Sequence, residues 1–128
     1  MTDPFHILVV DDNESDRELT ARLLQRAGLT VTAVDGAITA VAVLDSPRRI
    51  DLLLTDLHMP GQPHGIALAS MARARRPSLP ILYLSGTPEL VAREGEDPRC
   101  ALGKPVEAKV LVRKVLEALN AGETPARG

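Results

Sequence analysis

Residues 6–12 read His-Ile-Leu-Val-Val-Asp-Asp, and this stretch decides the fold. The continuous apolar run Ile7–Val10 ends abruptly in two adjacent carboxylates, Asp11 and Asp12. A strand that is apolar without alternation is covered on both faces, the habit of parallel sheets flanked by helices. Working outward, similar units recur. A segment with Leu19, Leu23, Leu24 and Ala27 on one helical face is closed by Gly28 as a C-cap. Thr30–Val34, rich in β-branched residues, reads as a strand, and Ala37–Leu44 as a helix stopped by Ser46-Pro47. Leu52–Leu54 and Ile81–Leu84 are two more buried strands. An alanine-rich helix over roughly Gly65–Arg76 separates them, with Pro77 and Pro80 at its exit. The last helix places Val106, Val110, Val115, Leu116 and Leu119 on one face. This βα alternation predicts an α/β domain, a parallel sheet between two layers of helices. Right-handed crossovers then put ligand sites at the carboxyl ends of the strands.

The chain's 128 residues, 45% apolar and 25% charged, suit one globular domain, expected over 1–121, with a tail at 122–128 expected to fray. A net charge of −2 with scattered signs, no lysine/arginine run and 2% aromatic residues argue against direct binding to nucleic acid. No apolar run approaches the roughly 20 residues that span a bilayer, and no signal-peptide pattern opens the chain, so membrane insertion is not expected. The single cysteine, Cys100, cannot form an intrachain disulfide and reads as a small buried hydrophobe; the expected location is cytoplasmic.

Chemically notable groups follow the strands. Asp11 and Asp12 follow the first, Asp56 the third, Ser85 the fourth and Lys104 the fifth, although more than 90 residues separate the first from the last. Each alone has a bland reading. Asp11 and Asp12 are good helix N-terminal residues, Ser85-Gly86 a good turn, and Lys104-Pro105 a good helix entry. Their shared register is what points to chemistry. Three carboxylates gathered within about 4–5 Å repel by several kcal/mol per pair, and an all-oxygen set suits a hard cation such as Mg²⁺. Such a site orients a phosphoryl group for attack by a carboxylate, with a lysine and a hydroxyl binding its oxygens.

The quartet formed by Asp11-Asp12 after Ile-Leu-Val-Val, Asp56-Leu-His-Met-Pro-Gly, Leu-Ser85-Gly and Gly-Lys104-Pro105 resembles the response-regulator receiver domains of bacterial two-component systems. The resemblance covers about residues 6–120. It implies a flavodoxin-like (βα)5 three-layer sandwich with a five-stranded sheet of order 2-1-3-4-5, the order of the chemotaxis receiver. It further implies Asp56 as phosphoacceptor, Asp12 as a direct Mg²⁺ ligand, Asp11 acting through water, and the backbone carbonyl of His58 as another ligand. Ser85 and Lys104 would contact the phosphoryl group, and Pro105 would follow a cis peptide bond.

The implied role is a signalling phosphoacceptor rather than an enzyme in its own right, which assists its own phosphoryl transfer and dephosphorylation. Its phosphodonor would be a sensor histidine kinase or a histidine phosphotransfer protein, docking near Asn13–Arg17 and the loop at Pro105. Weak homodimers would form across the fourth helix, fifth strand and fifth helix. The chain reads as a stand-alone receiver without an output domain, or as one excised from a hybrid kinase. The His58 side chain reads as a solvent-facing neighbour, and His6 and His64 as surface or loop residues.

Three features depart from the family pattern. The loop from Met59 to Gly65 is one residue longer than usual. The stretch from Ser85 to Lys104 is shorter, leaving a short helix near Glu89–Arg93. Ala101 stands where many receivers carry Tyr or Phe, so an aromatic switch at that position is excluded. The last two features keep open an alternative, a phosphorylation-independent receiver-like interaction module. An aspartate-nucleophile phosphatase is disfavoured, because His58 stands where its second acid is needed.

Overall fold

The computed structural model describes residues 4–59, 65–93 and 95–123. The expectations for Pro60–His64 and for the end of the tail lie outside the described residues. In chain order the elements are β1 (His6–Val10), α1 (Glu14–Arg26), β2 (Thr30–Val34), α2 (Ala37–Asp45), β3 (Leu52–Asp56) and α3 (Gly65–Arg75). They continue as β4 (Ile81–Ser85), the short α4 (Glu89–Arg93), a 3-10 turn at Pro98–Cys100, β5 (Ala101–Gly103) and α5 (Ala108–Glu123). The last helix thus runs past the boundary expected at residue 121. All five strands are parallel, in the order β2-β1-β3-β4-β5. The flavodoxin-like architecture is therefore present as expected. No described helix is long and apolar enough to cross a membrane.

The two sides of the sheet carry separate cores because successive strand residues point to opposite faces. Leu8, Val10, Leu53 and Tyr83 pack with Ala40, Leu44, Leu68 and Ala72 from α2 and α3. Ile7, Val9, Leu52, Leu54, Leu82 and Leu84 pack with Leu24 of α1 and Leu111, Val115 and Leu119 of α5. Every residue of β3 and β4 is buried, which is why both read as unbroken apolar runs.

Two helix faces differ from the sequence reading. In α1 the buried positions are Thr20 and Leu24, whereas Leu19 is 45% exposed and Ala27 is also exposed. In α5 the inward row is Leu111, Val115 and Leu119, while Leu116 is 38% exposed and Val106 precedes the helix. Both rows step by four residues, the spacing that stacks side chains on one helical face. A buried threonine in one helix and an overlooked leucine in the other account for the shifted phase. His6 also differs, since it opens β1 half-buried with its ring hydrogen-bonded to the Thr32 hydroxyl at 2.6 Å. Cys100 is half-buried, packed beside both cores, and burial pushes its thiol above the ordinary value.

The segment between β4 and β5 is held by polar contacts. The fully buried Tyr83 donates its phenol hydrogen to Glu96 Oε1 at 2.7 Å, and Arg73 of α3 donates to the same oxygen at 2.6 Å. Arg73, desolvation notwithstanding, holds the Glu96 carboxyl below its usual range. Gly95, beside it, has φ +84°, a conformation that glycine adopts without steric cost.

The inward row of α5 generates a direct test. Leu111→Ala should cost about 2–5 kcal/mol, the range for emptying a fully buried leucine site, and Leu116→Ala less than about 1 kcal/mol. Urea denaturation of the two variants checks this, and equal losses would contradict the observed helix phase.

Candidate functional site

The carboxyl ends of β1, β3 and β4 and the loop after β5 meet at one edge of the sheet. Asp56 is the last residue of β3 and Ser85 the last of β4, so both are held by strand pairing rather than by loops. Carboxylate oxygens of Asp11, Asp12 and Asp56 all lie within 4.8 Å of one another. Asp11 is fully buried, Asp56 nearly so, and Asp12 is exposed. An effective dielectric constant of about 20 makes each such pair repulsive by roughly 3–4 kcal/mol.

Lys104 offsets part of that repulsion. Its Nζ lies 3.0 Å from Asp11 Oδ2, 3.3 Å from Asp16 Oδ2 and 3.6 Å from Asp56 Oδ1. Burial works against its charge, but Asp11, Asp56 and Asp16 outweigh burial and hold the ammonium pKa above the ordinary lysine value. For Asp56, burial pushes the carboxyl up to about 6, against the downward pull of Lys104 and with added repulsion from Asp11.

The backbone supports each group. Asp11 Oδ1 accepts the Asn13 N–H at 3.0 Å, and Arg17 donates to the Asp11 carbonyl at 2.9 Å. Asn13 in turn caps α1 by accepting the Asp16 N–H at 2.9 Å. The His58 N–H donates to Asp56 Oδ1 at 3.3 Å, so the chain after β3 folds back over the Asp56 carboxylate. The His58 residue itself is exposed. Ser85 Oγ accepts the Thr87 N–H, and the Ser85 carbonyl accepts the Lys104 N–H, both at 2.9 Å. The Lys104–Pro105 peptide bond is cis, as the resemblance implies.

The three carboxylates singled out by sequence gather at this edge, Lys104 pairs with Asp11 and Asp56, and Ser85 joins through the hydrogen bond from the Lys104 N–H to its carbonyl. Two further residues escaped the sequence reading. Asp16 is the second partner of Lys104; it lies four residues before Thr20, whose burial only the structure shows. Gly65 is the other. A Cβ there would collide with the Asp56 carbonyl oxygen and lie 3.0 Å from the Leu57 Cα, so the backbone at Asp56 and Leu57 requires glycine at the start of α3.

Residues 7–116 match the family described as response regulator receiver domain. The chain belongs to that family. It is 35% identical over 113 residues to the sensory/regulatory protein RpfC of Xanthomonas campestris, covering 83% of this chain but 15% of that protein. It is 37% identical over 86 residues to the DNA-binding transcriptional regulator NtrC of Salmonella typhimurium, covering 67% of this chain and 18% of NtrC. The chain thus spans under a fifth of the length of these curated relatives. The crystal structure of a response regulator receiver protein from Sinorhizobium medicae superposes with a TM-score of 0.85 at 32% identity, covering 93% of this chain and 97% of that one. This receiver domain is accordingly a signalling domain of two-component systems.

Two outcomes follow from the site's geometry. Asp56, at about 6 in the fold against an ordinary 3.8, carries an ionisation penalty fully present above about pH 6 and absent below about pH 4. Asp56→Asn should therefore stabilise the metal-free protein by about 1–3 kcal/mol at pH 7.5, with the gain vanishing near pH 4. Melting curves of both proteins in chelator at the two pH values measure it; no gain at pH 7.5 contradicts the electrostatics. Gly65→Ala should lose about 1–3 kcal/mol through overpacking against the backbone at Asp56. A urea midpoint equal to wild type would show that the close approach is not enforced.

Proposed function

We propose that this receiver accepts a phosphoryl group from a phosphohistidine onto Asp56, in two-component or phosphorelay signalling. The observation that carries this reading is the cluster of Asp11, Asp12 and Asp56 carboxylates closed on one side by Lys104. Mutual repulsion makes such a cluster costly to fold, so its presence is best explained by the charges it is built to meet.

The donor set fits Mg²⁺, which prefers oxygen ligands and retains several waters. Asp12 and Asp56 would hold it directly with the His58 carbonyl, and Asp11 would act through water. When bound, the ion supplies charge neutralisation at the phosphoryl oxygens. An Asp56 carboxylate oxygen attacks phosphorus in line; the bond from phosphorus to the donor imidazole nitrogen breaks and its electron pair leaves with that nitrogen. Lys104 donates to one phosphoryl oxygen and the Ser85 hydroxyl to another, stabilising charge where it accumulates. Hydrolysis of the resulting acyl phosphate returns Asp56 to its starting state.

The donor is a sensor histidine kinase or a histidine phosphotransfer protein, docking at Asn13–Arg17 and the Pro105 loop. Self-association across α4, β5 and α5 and a cytoplasmic location belong to the same reading. A second reading, an interaction module that signals without phosphate, draws on the five-residue α4 and on Ala101.

Incubation with acetyl phosphate and Mg²⁺ followed by intact-mass measurement separates the two. Wild type should gain one phosphoryl mass and Asp56→Asn none. A folded, Mg²⁺-binding wild type that gains nothing from acetyl phosphate or from a phosphorylated histidine donor would favour the phosphate-independent module.

A further inference from the structure

Lys104 has three N–H donors to distribute. Asp11 and Asp16 lie within hydrogen-bond distance of its Nζ, whereas Asp56 Oδ1 at 3.6 Å is a charge contact beyond that range. The lysine therefore hydrogen-bonds on the α1 side, while its contact with Asp56 is an ion pair without a hydrogen bond. Asp16 is placed for this by the helix itself. It follows the Asn13 cap by three residues and shares a four-residue row with the buried Thr20 and Leu24. That row rises along α1 and ends at the site.

We propose that Asp16 is a positioning residue: its carboxylate holds the Lys104 ammonium back from the acceptor and so limits how readily Asp56 takes up a phosphoryl group. The inference rests on the reading of Asp56 as acceptor. Two features assign the restraining role to Asp16 rather than to Asp11. The Asp11 side chain is fully buried, so losing its ammonium partner would leave an uncompensated charge out of water. The Asp16 side chain is 48% exposed, so water replaces the lysine there at small cost. When a phosphoryl group arrives, the Asp16 contact is the one that gives way. Its charge also opposes the incoming phosphoryl oxygens, so restraint and repulsion act in the same direction.

An acidic residue in the first turn of a helix has an ordinary role too, as a stabiliser of the helix N-terminus. That role predicts a small loss of stability on substitution and no gain in phosphorylation. The proposal predicts a gain. A half-exposed ion pair contributes up to about 1 kcal/mol, which corresponds to about fivefold in rate.

The experiment measures the rate of phosphorylation by acetyl phosphate at saturating Mg²⁺, by intact mass, for wild type, Asp16→Asn and Asp16→Glu, with melting temperatures recorded in parallel. Asp16→Asn should be faster by about two- to fivefold, and Asp16→Glu, which keeps the charge, should return toward the wild-type rate. A wild type that is phosphorylated on Asp56 while Asp16→Asn is no faster overturns the inference and leaves the acceptor intact. A wild type that gains no Asp56-dependent mass overturns the acceptor reading, and this inference with it.

Discussion

The ion pairs of Lys104 are the constraint on which the rest of the structure depends. The sheet collects Asp11, Asp12 and Asp56 at one edge, two of them largely out of water, and unrelieved repulsion there works against the compact state. One ammonium on the loop after β5 answers it, drawing together residues separated by 93 positions in sequence. That contact joins the last loop to the first strand and first helix. Because Lys104 also donates its backbone N–H to the Ser85 carbonyl, the hydroxyl-bearing end of β4 is tied into the same arrangement. The carboxylates of Asp11, Asp12, Asp16 and Asp56 outnumber the cations Lys104 and Arg17 beside them, which leaves a net negative pocket, the electrostatic condition in which a divalent cation binds.

The architecture was legible because its central strands carry continuous apolar runs, the habit of strands covered on both faces. Strand ends then located Asp11, Asp12, Asp56, Ser85 and Lys104 without any knowledge of distances. Helix phase was less legible. Thr20 is buried in α1 although its hydroxyl makes it look like a surface residue, and reading Leu19 in its place turned the helix by one position. That same error concealed Asp16. Once Thr20 and Leu24 define the inward row, Asp16 falls on it four residues earlier, and its approach to Lys104 follows from helical geometry. Gly65 was hidden for a different reason. Its role is a close passage between backbones, and no residue type announces that from sequence.

The absence of an aromatic residue at Ala101 also gains a structural context. Ala101 pairs across the sheet with Tyr83, the one tyrosine in the chain, so the aromatic ring stands on β4 beside the position that lacks one. Tyr83 is fully buried and its hydroxyl is committed to Glu96, which is itself held by Arg73. An alanine opposite takes little volume from that ring. The short segment between β4 and β5 is consequently pinned at both ends, by the Thr87 N–H on Ser85 Oγ and by Glu96 on Tyr83 and Arg73.

This pinning bears on how a change at the site reaches the surface. Between its two anchors lies a helix of five residues, too short to be stable by itself, held to the core by the single fully buried side chain of Val91. Such an element has little cooperative resistance of its own, and its position follows from its ends. One end is the hydroxyl residue of the site. The other is a buried tyrosine two positions earlier on the same strand. A shift of Ser85 therefore acts on a segment with few other restraints, whereas the Tyr83 anchor limits how far the segment can travel. Ser85 at one end and Tyr83 at the other thus set where residues 87–93 lie.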